Sequence, residues 1–119
     1  MICPYCKKEA PWVDNKLVYG RRYGKSYMCY WCKECDAYVG CHNNGTIPFG
    51  TMANRELRQW RMKAHRAIDP LWQERKVMTR ERVYNPLREL FGRQIHIGES
   101  DIETCKKIIS LMSEQQKLL

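Results

Sequence analysis

Two hydrophobic rhythms divide the chain. From Pro11 to Cys41 the apolar and aromatic residues fall in short runs, while beyond residue 51 they recur every three or four positions. The first rhythm predicts short strands over Pro11 to Asp14, Leu17 to Gly20, Tyr27 to Cys32 and Ala37 to Cys41, with Asp14-Asn15, Gly20 and Gly24 as turn formers between them. The stretch from Cys41 through Asn43-Asn44-Gly45 to Gly50 reads as a linker with turn chemistry.

The second rhythm begins at Thr51, whose hydroxyl is placed to cap a helix running to Ile68. Ala53, Leu57, Trp60, Ala64, Ala67 and Ile68 share one face of that helix, and Pro70 ends it at Asp69 because the residue before proline avoids helical geometry. Asp69-Pro70 then opens a short helix through Leu71 and Trp72. A third helix is expected over Thr79 to Phe91, stopping at Gly92, with Val83, Leu87, Leu90 and Phe91 inward and Pro86 kinking it or moving its start. Ser100-Asp101-Ile102-Glu103 reads as the capping box of a last helix that buries Ile102, Cys105, Ile109 and Met112.

The seven cysteines change this picture. An odd number, arranged as Cys-x-x-Cys pairs far apart in the chain, fits a metal site in a reducing compartment better than a set of disulfides. Zn2+ takes four tetrahedral ligands, and each Cys-x-x-Cys turn supplies two from one backbone knuckle. Cys3 and Cys6 form the first pair. Cys29, Cys32 and Cys35 overlap as two candidate pairs for the second, and Cys32 with Cys35 is preferred for two reasons. Asp36 follows Cys35 and tolerates the left-handed backbone that often succeeds a knuckle. On an extended Tyr27 to Cys32 strand, moreover, Cys29 points away from Cys32. The expected ligands are therefore Cys3, Cys6, Cys32 and Cys35. Cys41 and His42 are candidates for a second metal with His65 or His96, although scattered residues of this kind are more often ordinary packing or surface groups. Cys105, on an apolar helical stripe, reads as a buried small hydrophobe.

The fold class that follows is α+β: a small amino-terminal zinc ribbon-like β-module in residues 1–50, followed by three to four α-helices in residues 51–119 that pack with it as one domain. At 119 residues the chain is the length of one domain. It holds no apolar run of membrane-spanning length and no signal-peptide pattern at its start, so a soluble cytoplasmic protein without a membrane partner is expected.

Charge adds a functional signal. The formal net charge is +8, and four thiolates around a divalent ion bring it to about +6. Residues 51–93 hold 11 of the 21 basic groups against 5 of the 13 acidic ones. Arg55, Arg58, Arg61, Lys63 and Arg66 lie away from the apolar stripe of the first long helix, with Glu56 at one margin. A solvated face usually mixes signs, because like charges at helical spacing repel and opposite ones stabilise. This bias points to an anionic partner.

The chain also resembles a family of bacterial and bacteriophage zinc-finger-containing domains of uncharacterised function. The likeness is carried by Cys3-Pro4-Tyr5-Cys6, Tyr19-Gly20, Cys32-Lys33-Glu34-Cys35-Asp36-Ala37-Tyr38-Val39-Gly40, Gly45-Thr46, Gly50-Thr51, Ala64-His65, Asp69-Pro70-Leu71-Trp72, Met78-Thr79-Arg80 and His96-Ile97-Gly98. It implies a zinc-supported domain with Cys3, Cys6, Cys32 and Cys35 as ligands and Cys29 outside the set.

Three functional classes follow. The first is a non-enzymatic nucleic-acid-binding accessory protein, using the basic helix for phosphates and exposed rings such as Tyr23, Tyr30 and Trp31 for unpaired bases. The second is a phage-type interaction module or inhibitor that docks the same helix on an acidic host protein. The third is a metal-dependent enzyme using His42, His65, His96 and Asp69, and it ranks last because four cysteines close the metal's coordination sphere.

Overall fold

In a computed structural model of the protein the residues described are 1–69, 87–89, 91–93 and 95–118. The architecture is α+β. In chain order it comprises β1 (Trp12–Asp14), α1 (Lys16–Tyr19), β2 (Met28–Cys32), β3 (Ala37–Gly40), α2 (Arg55–Asp69) and α3 (Ile102–Leu118), with short 3-10 turns at His42–Asn44 and Ile97–Glu99. The chain divides into two compact units, Met1–Glu56 and Leu57–Leu119, and the division falls within the first turn of α2.

The first unit is built on a three-stranded antiparallel sheet of order β1-β2-β3. Trp12 pairs with Tyr30, Tyr30 with Val39, and Cys32 with Ala37. Side chains alternate across a sheet, so this register sets Tyr30, Cys32, Ala37 and Val39 on one face and Cys29, Trp31 and Tyr38 on the other. The first face packs with Cys3, Ala10 and Met52.

Three expectations change in this unit. The run Leu17 to Gly20 is not a strand, because Lys16–Tyr19 form one helical turn that closes at Gly20 with φ 82°, a left-handed position where glycine avoids a steric penalty. The stretch after Cys41 is not a linker. Cys41 bridges Pro48, the Phe49 N–H donates to the Gly40 carbonyl, and the left-handed Asn43 and Asn44 turn the chain back on the sheet. Finally, α2 starts at Arg55 rather than near Thr51, since Ala53 exchanges two backbone hydrogen bonds with Tyr38 (3.1 and 3.2 Å) and Met52 is buried in the core. A residue in a sheet ladder cannot also lie in a helix.

The second unit has its own core of Ala64 and Ile68 from α2, Leu87, Ile95, Ile97, and Cys105, Ile108 and Met112 from α3. Trp60, Ala67 and Phe91 pack at its edge. The stripe expected on α2 is thus present from Leu57 to Ile68 but without Ala53, and the helix is described through Asp69. On α3 Cys105 and Met112 are buried as expected and Ile108 joins them, whereas Ile102 and Ile109 are only half-buried. Residues 87–89 are helical and Gly92 is left-handed with φ 66°, as the expected third helix and its stop require. The short helix at Leu71 and Trp72 and most of the Thr79 to Phe91 segment, Val83, Pro86 and Leu90 included, lie outside the described residues. No described helix is long and apolar enough to cross a membrane.

The cap of α3 is displaced by one residue from the expected box. Asp101 Oδ1 accepts the Thr104 N–H at 2.8 Å, while the Ser100 hydroxyl donates to the His96 carbonyl. Hydrogen bonds from the Thr104 side chain and from its N–H hold the Asp101 carboxyl below its ordinary range. A depressed native pKa means that the cap stabilises fully above the unfolded value near 4 and fades as pH falls through the native one. Asp101→Ala is therefore expected to cost about 1 kcal/mol at neutral pH, with the deficit shrinking below about pH 4. Asp101→Asn, which keeps the acceptor, should stay near the parent. Denaturant titrations at pH 7 and pH 3 check both.

Candidate metal centre

Two knuckles bring Cys3, Cys6, Cys32 and Cys35 together. In the first, Ile2 bridges Glu9, the Cys3 N–H donates to the Lys8 carbonyl and the Lys7 N–H donates to the Cys3 carbonyl, both at 2.9 Å. The chain reverses at Lys7, which is left-handed at φ 64°. The second knuckle is the β2–β3 turn, where the Asp36 N–H reaches the Lys33 carbonyl at 3.2 Å and Asp36 is left-handed at φ 49°. The backbone expected at Asp36 is present, yet Lys7 adopts it too. Residue type after a knuckle is therefore a weaker guide than strand parity.

The four Sγ atoms all lie within 4.8 Å of one another, and those of Cys6 and Cys32 are 3.7 Å apart. A tetrahedron with Zn–S bonds of about 2.3 Å has edges of about 3.8 Å, so the cluster is the right size for a single ion. Among the described residues no other group of three or more His, Cys, Asp or Glu side chains gathers at metal-binding distance.

Electrostatics agree with this geometry. Burial works to raise the Cys3 thiol, but the N–H groups of Cys6 and Tyr5 and the neighbouring sulfurs together bring it down to about 7. Cys35 is pushed up to about 12 by burial and by its neighbours Cys32, Cys6 and Cys3. Four thiolates at this spacing oppose one another's ionisation unless a cation sits among them. Cys3 is buried and the other three are half-buried, so a bound ion would be shielded without being inaccessible. The Tyr5 hydroxyl accepts the Asn54 N–H at 3.1 Å, which ties the first knuckle to the chain entering α2. The salt bridge between Lys8 and Glu34, at 3.4 Å, joins the two knuckle tips and adds at most about 1 kcal/mol in its exposed setting.

The remaining cysteines are packing groups. Cys29 is 2% exposed on the opposite sheet face, and its thiol is pushed up to about 11 by burial, with Cys41 and Asp14 adding to the effect. Burial also raises Cys41 and Cys105. Of the histidines considered for a second metal, His42 lies edge-on to Phe49 at 4.2 Å and His65 Nδ1 pairs with Asp69 at 3.4 Å.

On α2, Arg55, Lys63 and Arg66 are exposed and Arg58 is half-buried. Arg61 sits apart from them, because its Nε donates to the Ser100 carbonyl at 3.0 Å beside the apolar stripe. At 100° per residue Arg61 falls next to Ile68, a margin position visible in the sequence itself. Lys63 Nζ lies 4.5 Å from the Trp60 ring and Lys106 Nζ 5.2 Å from it. The rings expected to be available also change. The Tyr30 hydroxyl is engaged with the Thr46 carbonyl, and Trp31 is half-buried, lining a groove of about 280 Å³ with Pro11, Val13 and Lys33. Tyr23 is exposed as expected, and Tyr19, Tyr5, Trp12 and Phe49 are exposed too. Tyr19 was hidden by reading its segment as a strand, although a glycine directly after it is also a helix-stop signal.

A sheet whose turn supplies one Cys-x-x-Cys pair, joined to a second knuckle from the amino terminus, defines a ribbon-like thiolate centre of the zinc-finger class. Residues 1–115 match the family described as a zinc-finger-containing domain, and the chain belongs to that family. No curated protein and no solved structure matches the chain.

Proposed function

We propose that the protein is a non-enzymatic, zinc-supported accessory protein that binds nucleic acid through the outer face of α2. Zinc is the ion that suits four thiolates in tetrahedral array, and with all positions taken by protein its part is structural. Bound there, it cross-links the two knuckles. His65 and Asp69, the residue pair closest to an acid–base couple, are one helical turn apart and satisfy each other.

The observation that carries this reading is the sign of the α2 surface. Arg55, Lys63 and Arg66 are exposed with Arg58 beside them, whereas Glu56 is the exposed acidic residue of the helix and Asp69 faces His65. Such a face fits a phosphate backbone, which binds by charge and tolerates any sequence.

The test is fluorescence anisotropy with a labelled oligonucleotide across a salt series. Parent affinity should fall steeply with salt as neutralised phosphates release their counterions. Arg55→Glu with Arg66→Glu should weaken binding about tenfold or more at low salt and flatten the salt slope by about two. Both residues are exposed and away from Leu57, Ala64 and Ile68, so the circular dichroism spectrum should not change. A folded variant that binds like the parent removes this face from the reading. A parent that binds no nucleic acid at low salt transfers the basic face to an acidic protein partner, the alternative the same charge would serve.

A further inference from the structure

We propose that the first unit carries a stacking platform for unpaired bases, formed by Tyr19 and Tyr23, so that the nucleic acid bound is single-stranded. This rests on the nucleic-acid reading above but uses a different surface.

The platform is a loop held from beneath. Asn15 is 7% exposed, and its side chain exchanges two hydrogen bonds with the Tyr23 backbone: Nδ2 donates to the carbonyl at 2.9 Å and Oδ1 accepts the N–H at 3.1 Å. The Asn15 N–H also donates to the Tyr27 carbonyl at 2.7 Å, and the Tyr27 N–H donates to Asn44 Oδ1 at 2.7 Å. Arg22 is locked as well, with Nε on Asp14 at 2.8 Å and its guanidinium 4.3 Å from the Tyr27 ring. These bonds fix the backbone on both sides of Tyr23 while the residue remains 71% exposed.

Tyr19 stands beside it, 47% exposed, with its centroid 5.6 Å from that of Tyr23 and tilted by 54°. On its other side Tyr19 meets the Tyr38 ring edge-on at 5.6 Å, which supports it against the sheet. A large apolar ring left in water on a rigid support contributes little to folding, but it loses little conformational freedom when a flat partner settles on it.

Charge selects that partner. Residues 15–27 hold Lys16, Arg21, Arg22 and Lys25 and no acidic residue, and Lys16, Arg21 and Lys25 are exposed in the same segment as the two rings. Cations for phosphates beside rings for bases is the arrangement that grips single strands. In a duplex the base faces are covered by their neighbours, so the tyrosines have nothing to stack on.

The test uses the zinc-loaded full chain with a labelled single-stranded oligothymidylate and a labelled duplex of equal length. Tyr23→Ala should weaken single-strand binding about tenfold, Tyr23→Phe should remain near the parent because the ring is kept, and duplex binding should not change. A strand carrying 5-iodouracil should photocrosslink to Tyr19 or Tyr23. The inference is overturned if Tyr23→Ala and the Tyr19→Ala/Tyr23→Ala double variant, both folded, bind the single strand as the parent does, or if both probes weaken alike. In either case a salt slope that still responds to Arg55 and Arg66 leaves the helix reading standing. A parent that binds neither probe sinks both.

Discussion

Cys35→Ser is expected to release the metal and unfold the first unit, whereas Cys29→Ala leaves both in place. The difference lies in what each sulfur does. Cys35 belongs to the cluster whose sulfurs lie within 4.8 Å of one another, and the binding free energy of a structural zinc, on the order of 10–16 kcal/mol, is spent as folding free energy. Losing one of four thiolates forfeits several kcal/mol of that, comparable to the whole stability of a small domain. Cys29 lies on the other sheet face, and its protonated thiol only fills space. Zinc analysis of the purified variants should give about one equivalent per chain for the parent and Cys29→Ala and a small fraction for Cys35→Ser. Metal lost from Cys29→Ala and kept by Cys35→Ser would show that the second knuckle is in the other register.

The second large effect is expected on chelation. Four of the ten residues in the first unit's core cluster are the clustered cysteines themselves, and the apolar contribution of Ala10, Ala37, Val39 and Met52 is small. The second unit's core of Ile68, Leu87, Ile95, Ile97, Ile108 and Met112 includes no metal ligand. Adding a zinc chelator should therefore strip hydrogen-exchange protection from β2 and β3 by on the order of a thousandfold, while amides around Ile108 in α3 keep theirs. Uniform loss across residues 1–118 would mean that the metal holds both cores.

How much of this was legible in the sequence depended on whether local chemistry or distant pairing decided the outcome. The cluster of Cys3, Cys6, Cys32 and Cys35 was legible because a Cys-x-x-Cys turn is a local device and because strand parity separates Cys29 from Cys32 without any tertiary information. The end of β2 at Cys32 and the start of β3 at Ala37 were legible for the same local reason. What failed was decided at longer range. Thr51 is a good cap by type, but Ala53 is claimed by Tyr38 across the sheet, so the helix waits until Arg55. A boundary at residue 50, read from the change in hydrophobic rhythm, likewise leaves out Met52, which the first unit buries. Leu17 to Tyr19 carry strand-forming residues, yet the bonds of Asn15 and the left-handed Gly20 close a helical turn there. At α3 two adjacent capping residues competed, and Asp101 took the Thr104 N–H while Ser100 turned to His96.

The span of the first unit's core also sets an order of events during synthesis. Cys3 and Cys6 emerge from the ribosome well before Cys32 and Cys35, and Met52 and Ala53 come later still. Until those partners appear, the first knuckle has two thiols and no core to enter. A metal ion met at that stage finds half a coordination sphere, and an oxidant meets two neighbouring sulfurs with nothing covering them. The nascent chain is therefore most exposed to wrong metals and to oxidation during the interval in which residues 7–53 are emerging.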